Sequence, residues 1–140
     1  MTQANLEAAL GWLEAQGMAK VGVMGWCFGG AWTLEAALFA PDKVDAAVIY
    51  YGRLITDPHA LEALQAPVLG IFGDLDQGIP LDSVRAFEAA LKELGKPADI
   101  RIYEGADHAF ANPSGTRYKA DAAEDAWART LTFFATHLGR

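Results

Sequence analysis

Cys27 is the only cysteine in the 140-residue chain. With no second thiol an internal disulfide is excluded, which fits a reducing, cytoplasmic compartment. No apolar run reaches the roughly 20 residues needed to cross a bilayer, and no charged-then-apolar leader precedes the first helix-like segment. Positive charge is scarce: 11 Lys and Arg stand against 18 Asp and Glu, a formal charge of −7. A phosphate backbone or an anionic lipid surface would be repelled, so neither nucleic acid nor a membrane is an expected partner. Internal repeats, low-complexity tracts and linker-like stretches are also missing.

What is present suits a globular domain. Hydrophobic residues make up 52% of the chain and charged residues 21%, a balance typical of soluble globular proteins. The length fits one unit over residues 1–140, enough to bury a sizeable core.

Asn5 to Gln16 carries Leu6, Ala9, Leu10 and Leu13 at helical spacing, with Asn5 as N-cap and Gly17 as the stop. Lys20 to Met24 reads as a short buried strand, and Phe28 to Phe39 as a helix ended by Ala40-Pro41. Further strands are predicted at Asp45 to Tyr51, Pro67 to Phe72 and Ala98 to Tyr103. Helices are predicted at Leu81 to Leu94, with Val84, Phe87, Leu91 and Leu94 on one face, and at Ala120 to Leu138, with Ala123, Trp127, Leu131 and Phe134 on one face. Alternating strands and helices predict an α/β fold with a mostly parallel sheet of about four strands flanked by helices. In such sheets the functional groups gather beyond the carboxyl ends of the strands.

Three chemically capable groups fall at those ends. Cys27 lies in Gly25-Trp26-Cys27-Phe28-Gly29-Gly30, Asp74 and Asp76 follow the third strand, and His108 follows the fourth. Nucleophile, acid and histidine thus occur in the chain order of α/β-hydrolases. A nucleophile on a tight strand-to-helix turn needs small flanking residues, and Gly25 and Gly29 stand two positions to either side of Cys27. The same turn lifts the sulfur above the sheet and points the Phe28 backbone N–H at a developing oxyanion. The alternative for Cys27 is a small buried hydrophobe. A dinucleotide loop is rejected, because Cys27 stands where that loop needs glycine and the second strand ends in Tyr50-Tyr51-Gly52-Arg53 without a ribose-binding acid.

For the acid, Asp76 opens the loop leading to Pro80, whereas Asp74 suits a turn-capping aspartate. Asp76 is favoured, with Asp74 as the alternative. Among the histidines only His108 follows a strand: His59 falls in a polar loop, His137 near the end of the last helix, and Asp107 reads as a solvated neighbour of His108.

The Gly25-Trp26-Cys27-Phe28-Gly29-Gly30 turn, Asp76-Gln77-Gly78-Ile79-Pro80 and His108-Ala109-Phe110-Ala111-Asn112 together resemble the dienelactone hydrolase family, carboxymethylenebutenolidase-like α/β-hydrolases. The resemblance implies a shortened α/β-hydrolase fold and hydrolysis of small carboxylic esters or lactones by a Cys27, Asp76, His108 triad, without cofactor or metal. Asn112 stands in the neighbourhood where that family places a carboxylate-binding arginine. The similarity corresponds to the C-terminal part of the family domain. It implies an open sheet edge at Lys20 to Met24, and with it a homodimer that shields this edge. Two alternatives to an enzyme are a non-catalytic interaction module and an incomplete fragment of a longer hydrolase.

Overall fold

Short apolar segments bounded by turns become strands, and the amphipathic segments between them become the helices that cover the sheet. The computed structural model describes residues 2–139. Its elements run α1 (Gln3–Ala15), β1 (Gly22–Trp26), α2 (Phe28–Phe39), β2 (Ala46–Tyr50), α3 (Pro58–Leu61), β3 (Val68–Gly73), α4 (Leu81–Glu93), β4 (Ala98–Tyr103) and α5 (Ala120–Leu138). The sheet has the order β1-β2-β3-β4, and every neighbouring pair is parallel. All four carboxyl ends therefore lie along one side. Trp26 is level with Tyr50, and Gly73 with Tyr103. No helix among the described residues is long and apolar enough to cross a membrane.

Two apolar layers sandwich the sheet. On one face Leu34 and Ala37 of α2 and Val84, Phe87 and Leu91 of α4 pack on Ile49 and Phe72. On the other, Ala122 and Ala126 of α5 pack with Val48, Tyr50, Leu69 and Ile71. Both faces of β2 and β3 are thus covered, and every residue of those strands is buried. That is why they read as unbroken apolar runs.

Several local expectations shift. Thr2, not Asn5, caps α1: its side chain accepts from the Asn5 backbone while the Asn5 side chain accepts from the Thr2 backbone. Asn5 thus closes a reciprocal capping box one turn inside the helix. β1 starts two residues later than expected, because Val21 is held by Asp45, whose Oδ2 accepts the Val21 N–H at 2.8 Å. The four-residue helix α3 was not foreseen; Asp57 caps it and Pro58 starts it, and it carries the exposed His59. The buried face of α5 is Ala122, Ala126 and Thr130 rather than the stripe through Trp127 and Leu131, which are 47% and 53% exposed. Small residues let α5 approach the sheet closely, which rotates the large side chains to its flank.

Thr130 also ties α5 to β2. Its hydroxyl donates to the Ala126 carbonyl at 2.9 Å and lies 2.8 Å from the Tyr50 hydroxyl. With the threonine proton already used, Tyr50 must be the donor to Thr130 Oγ1. Burial raises the Tyr50 hydroxyl above its ordinary pKa.

The β1-to-α2 turn depends on close backbone approach. A Cβ at Gly25 would overlap the Gly29 carbonyl oxygen, and one at Gly30 would lie 2.8 Å from the Tyr50 carbonyl oxygen. The steric reason expected at Gly29 is not found: that position opens into free space. The second crowded position is Gly30, where α2 crosses the end of β2.

Two stability measurements follow from these contacts. In urea unfolding, Gly25→Ala should cost about 3 kcal/mol through overpacking, whereas Gly29→Ala should shift stability by less than about 1 kcal/mol, alanine being the better helix former. Thr130→Val should cost about 1–3 kcal/mol by orphaning the Tyr50 hydroxyl. Adding Tyr50→Phe should recover part of that loss; a double variant no more stable than Thr130→Val would contradict the proposed donor role of Tyr50.

Candidate active site

Cys27 is the residue between β1 and α2, with φ 56° and ψ −118°. A non-glycine residue in this region is strained by about 1–3 kcal/mol and persists only where the surroundings enforce it. Here the Cys27 N–H is held by the Tyr50 carbonyl at 2.9 Å, and its carbonyl accepts from Ala31 at 3.2 Å. The backbone is fixed on both sides. The thiol, free and exposed, projects over the carboxyl end of the sheet. Phe28 begins α2, so its N–H has no partner within the helix and stands beside the sulfur-bearing residue.

Asp76 sits in the loop after β3. Its side chain is 1% exposed. One oxygen, Oδ1, accepts the backbone N–H groups of Gly78 at 2.9 Å and Ile79 at 3.0 Å. The other, Oδ2, lies 2.8 Å from His108 Nδ1. A carboxylate can only accept, so Nδ1 carries the proton and Nε2 presents a lone pair. Nε2 lies 3.0 Å from Cys27 Sγ. Cys27, His108 and Asp76 thus form one continuous chain of hydrogen bonds reaching from β1 to the loops after β3 and β4.

The alternatives are placed elsewhere. Asp74 Oδ1 accepts the Gly105 N–H at 2.8 Å and so clamps the loops that follow β3 and β4. Asp107 accepts from the His108 backbone. His59 lies on the surface beside Glu62 at 3.3 Å, and His137 packs on Phe133, with ring centroids 4.5 Å apart. Neither meets Cys27. Among the described residues, no group of three or more His, Cys, Asp or Glu side chains is arranged to hold a metal ion.

A cleft of about 410 Å³ opens beside the sulfur, lined by Trp26, Cys27, Tyr51, Ala109, Ala111, Asn112 and Pro113. Its walls carry no charged side chain. His108 itself borders a separate polar hollow with Asp76, Gln77, Asp107 and Arg117.

Tyr51 was not singled out from the sequence, although its position just past β2 places it beside the residue just past β1. Its ring centroid lies 5.2 Å from that of His108 and 5.5 Å from that of Phe110, so it buttresses the imidazole. Burial pushes its hydroxyl up to about 12, the Ala111 backbone opposing. At neutral pH it remains a phenol. The non-glycine residues with positive φ among those described are Cys27, Tyr51 and Ala109, at 56°, 36° and 64°. All three line this cleft, and such clustering of strain marks functional sites.

Nearly the whole chain resembles known proteins. The chain is 36% identical to a protein of Methylorubrum extorquens provisionally named carboxymethylenebutenolidase, over 93% of this chain and 48% of that one. It is 34% identical to a similarly named protein of Escherichia coli O157:H7, over 98% and 54%. The chain therefore spans about half the length of these curated relatives. The crystal structure of a provisionally named dienelactone hydrolase from Klebsiella pneumoniae superposes with a TM-score of 0.86 at 33% identity, covering 94% of this chain and 59% of that one. With residues 2–138 matching the dienelactone hydrolase family over nearly all of their length, the chain belongs to that family.

Proposed function

We propose that the chain hydrolyses small carboxylic esters or lactones through Cys27, His108 and Asp76, with the Phe28 N–H as an oxyanion donor and no cofactor. The observation that carries this is the unbroken contact from Sγ to Nε2 at 3.0 Å and from Nδ1 to Oδ2 at 2.8 Å, seated in a cleft open to a small molecule. The family membership and the strained backbone at Cys27 support it.

In the first half-reaction Sγ bonds to the substrate carbonyl carbon as its proton passes to His108 Nε2. The carbonyl oxygen becomes an oxyanion facing the Phe28 N–H. When the tetrahedral intermediate collapses, the carbon–oxygen bond to the leaving group breaks and the imidazolium returns the proton to that oxygen. A thioester on Cys27 remains. In the second half-reaction water gives a proton to Nε2 as its oxygen bonds to the acyl carbon, and collapse breaks the carbon–sulfur bond. The proton returns to sulfur and the carboxylic acid departs. Asp76 stays ionised, holding the tautomer and favouring the transient imidazolium.

The uncharged cleft, with Asn112 rather than a cation on its wall, favours neutral acyl groups over those bearing a carboxylate. A lone accessible thiol fits a reducing, cytoplasmic setting. The same proposal takes the working protein as a homodimer.

A chromogenic short-chain ester assay with acid-quenched mass spectrometry tests the mechanism. Wild-type protein should turn over and carry an acyl adduct on Cys27; Cys27→Ala and His108→Ala should lose turnover. Asp76→Asn should lower kcat by about 10²-fold or more, since an amide can present the wrong group to Nδ1. Asp74→Asn should stay within a few-fold of wild type, its carbonyl oxygen still accepting from Gly105. Turnover independent of Cys27 would refute the nucleophile, and Asp74→Asn falling further than Asp76→Asn would refute the acid.

A further inference from the structure

The sheet has two open edges among the described residues, β1 and β4, and they differ in what they offer a partner. On β4, the Pro97 carbonyl accepts from Val68 and the Tyr103 carbonyl from Asp74. With the two-residue repeat of a strand, Asp99 and Arg101 therefore turn their backbone groups to β3, while Ala98, Ile100 and Ile102 turn theirs away from the sheet. Ile100 and Ile102 are half-buried against the α4 layer. Asp99 and Arg101 lie on the α5 face with side chains 47% and 43% exposed.

We propose that β4 pairs antiparallel with β4 of a second copy of this chain, in the register that sets Ile100 opposite Ile100 and joins two sheets into one. This rests on the homodimer proposed above and names its seam.

Charge selects the register. In an antiparallel ladder the outward-facing residues of the two strands oppose each other, so a two-fold seam can shift only in steps that keep Ala98, Ile100 and Ile102 facing their counterparts. With Ile100 at the centre, Asp99 faces the partner's Arg101, and Arg101 faces the partner's Asp99. One step to either side sets arginine against arginine or aspartate against aspartate. These intervening positions are the non-hydrogen-bonded pairs, where the backbones approach most closely and opposite charges count most. A self-complementary pattern is what a two-fold contact requires.

The pair is imperfectly met within one chain. Arg101 Nη2 donates to Asp99 Oδ2 at a long 3.4 Å, and Nε, 2.8 Å from Oδ1, makes no aligned hydrogen bond. The partner's Asp99 would present a carboxylate from across the seam. There is also room: a groove of about 460 Å³ bordered by Asp99, Asp125, Arg129 and Thr132 runs between β4 and α5. Its α5 wall is held in place, because Asp125 Oδ2 accepts from the Tyr103 hydroxyl and from Arg129 Nε, both at 2.7 Å.

The β1 edge, where the sequence led us to expect the seam, has no such code. Val21 and Cys27 bond toward β2, which leaves Gly22, Met24 and Trp26 facing out with Val23 and Gly25 between them. No charge there distinguishes one register from another. No β4 residue lines the Cys27 cleft, so loss of the dimer and loss of ester hydrolysis are separate outcomes.

Sedimentation velocity over a concentration series, with amide hydrogen exchange read by NMR, tests the seam. Wild-type protein should dimerise, and the amides of Ala98, Ile100 and Ile102 should become protected as concentration rises. Asp99→Arg or Arg101→Asp alone should raise the dimer Kd at least tenfold with circular dichroism unchanged, and combining the two should restore it. A chain still monomeric at roughly 100 μM, well above the Kd of a micromolar interface, would overturn the proposal. So would a dimer indifferent to both charge reversals, or one whose new protection falls on Met24 and Trp26. A double variant no better than either single one would reject the register.

Discussion

The first turn of α2 lies almost in contact with the ends of β1 and β2, and the site depends on that closeness. Gly25 admits the Gly29 carbonyl, Gly30 admits the Tyr50 carbonyl, and a Cβ at Gly52 would lie 2.5 Å from the Ala31 nitrogen. Any one of these side chains would lift the helix, and with it the residue at its cap. Cys27 is held in its unfavourable backbone conformation by this packing and by its hydrogen bond to Tyr50. The buried layers under α2 and β2 supply the free energy that keeps a strained thiol in place.

A different kind of constraint positions the acid and the base. Asp76 is deeply buried, yet none of its oxygens lacks a partner: two backbone N–H groups and one imidazole N–H satisfy it. A buried carboxylate so supplied is stiff as well as stable, because each donor resists its rotation. His108 receives its orientation from that carboxylate and from the Tyr51 ring. Asp74, two residues earlier, joins the loop after β3 to the loop after β4. The loops bearing Asp76 and His108 are therefore fastened to each other independently of the hydrogen bond between those two side chains.

Much of this was legible in the residues. The glycine-framed turn, the order of thiol, acid and histidine, and the apolar runs of β2 and β3 give the parallel sheet and place Cys27, Asp76 and His108 at one side of it. Local chemistry favoured Asp76 over Asp74 as the partner of the histidine, because a residue directly after a strand tends to cap a turn; Asp74 accepts from the Gly105 backbone and Asp76 meets His108. Tyr51 was illegible for a reason of register: its nearness to Cys27 comes from the pairing of Trp26 with Tyr50, which no local pattern encodes. Gly29 and Gly30 were confused because spacing from the cysteine does not say which Cα the neighbouring strand touches. On α5, periodicity could not choose between a stripe of large side chains and an adjacent stripe of small ones. Packing distance chose the small one, and Thr130 reached Tyr50 as a result.

The strand order has a mechanical consequence. Asp76 and His108 follow adjacent strands, whereas Cys27 and His108 follow the first and last strands of the sheet. Neighbouring strands are rotated by about 20–25° relative to each other, so a small change in twist acts once between acid and base but accumulates three times between sulfur and imidazole. A change in twist thus leaves the Asp76–His108 couple nearly rigid and concentrates its displacement in the gap between Cys27 Sγ and His108 Nε2. The torsional stiffness of β2 and β3, buried on both faces, sets how steadily that gap is held.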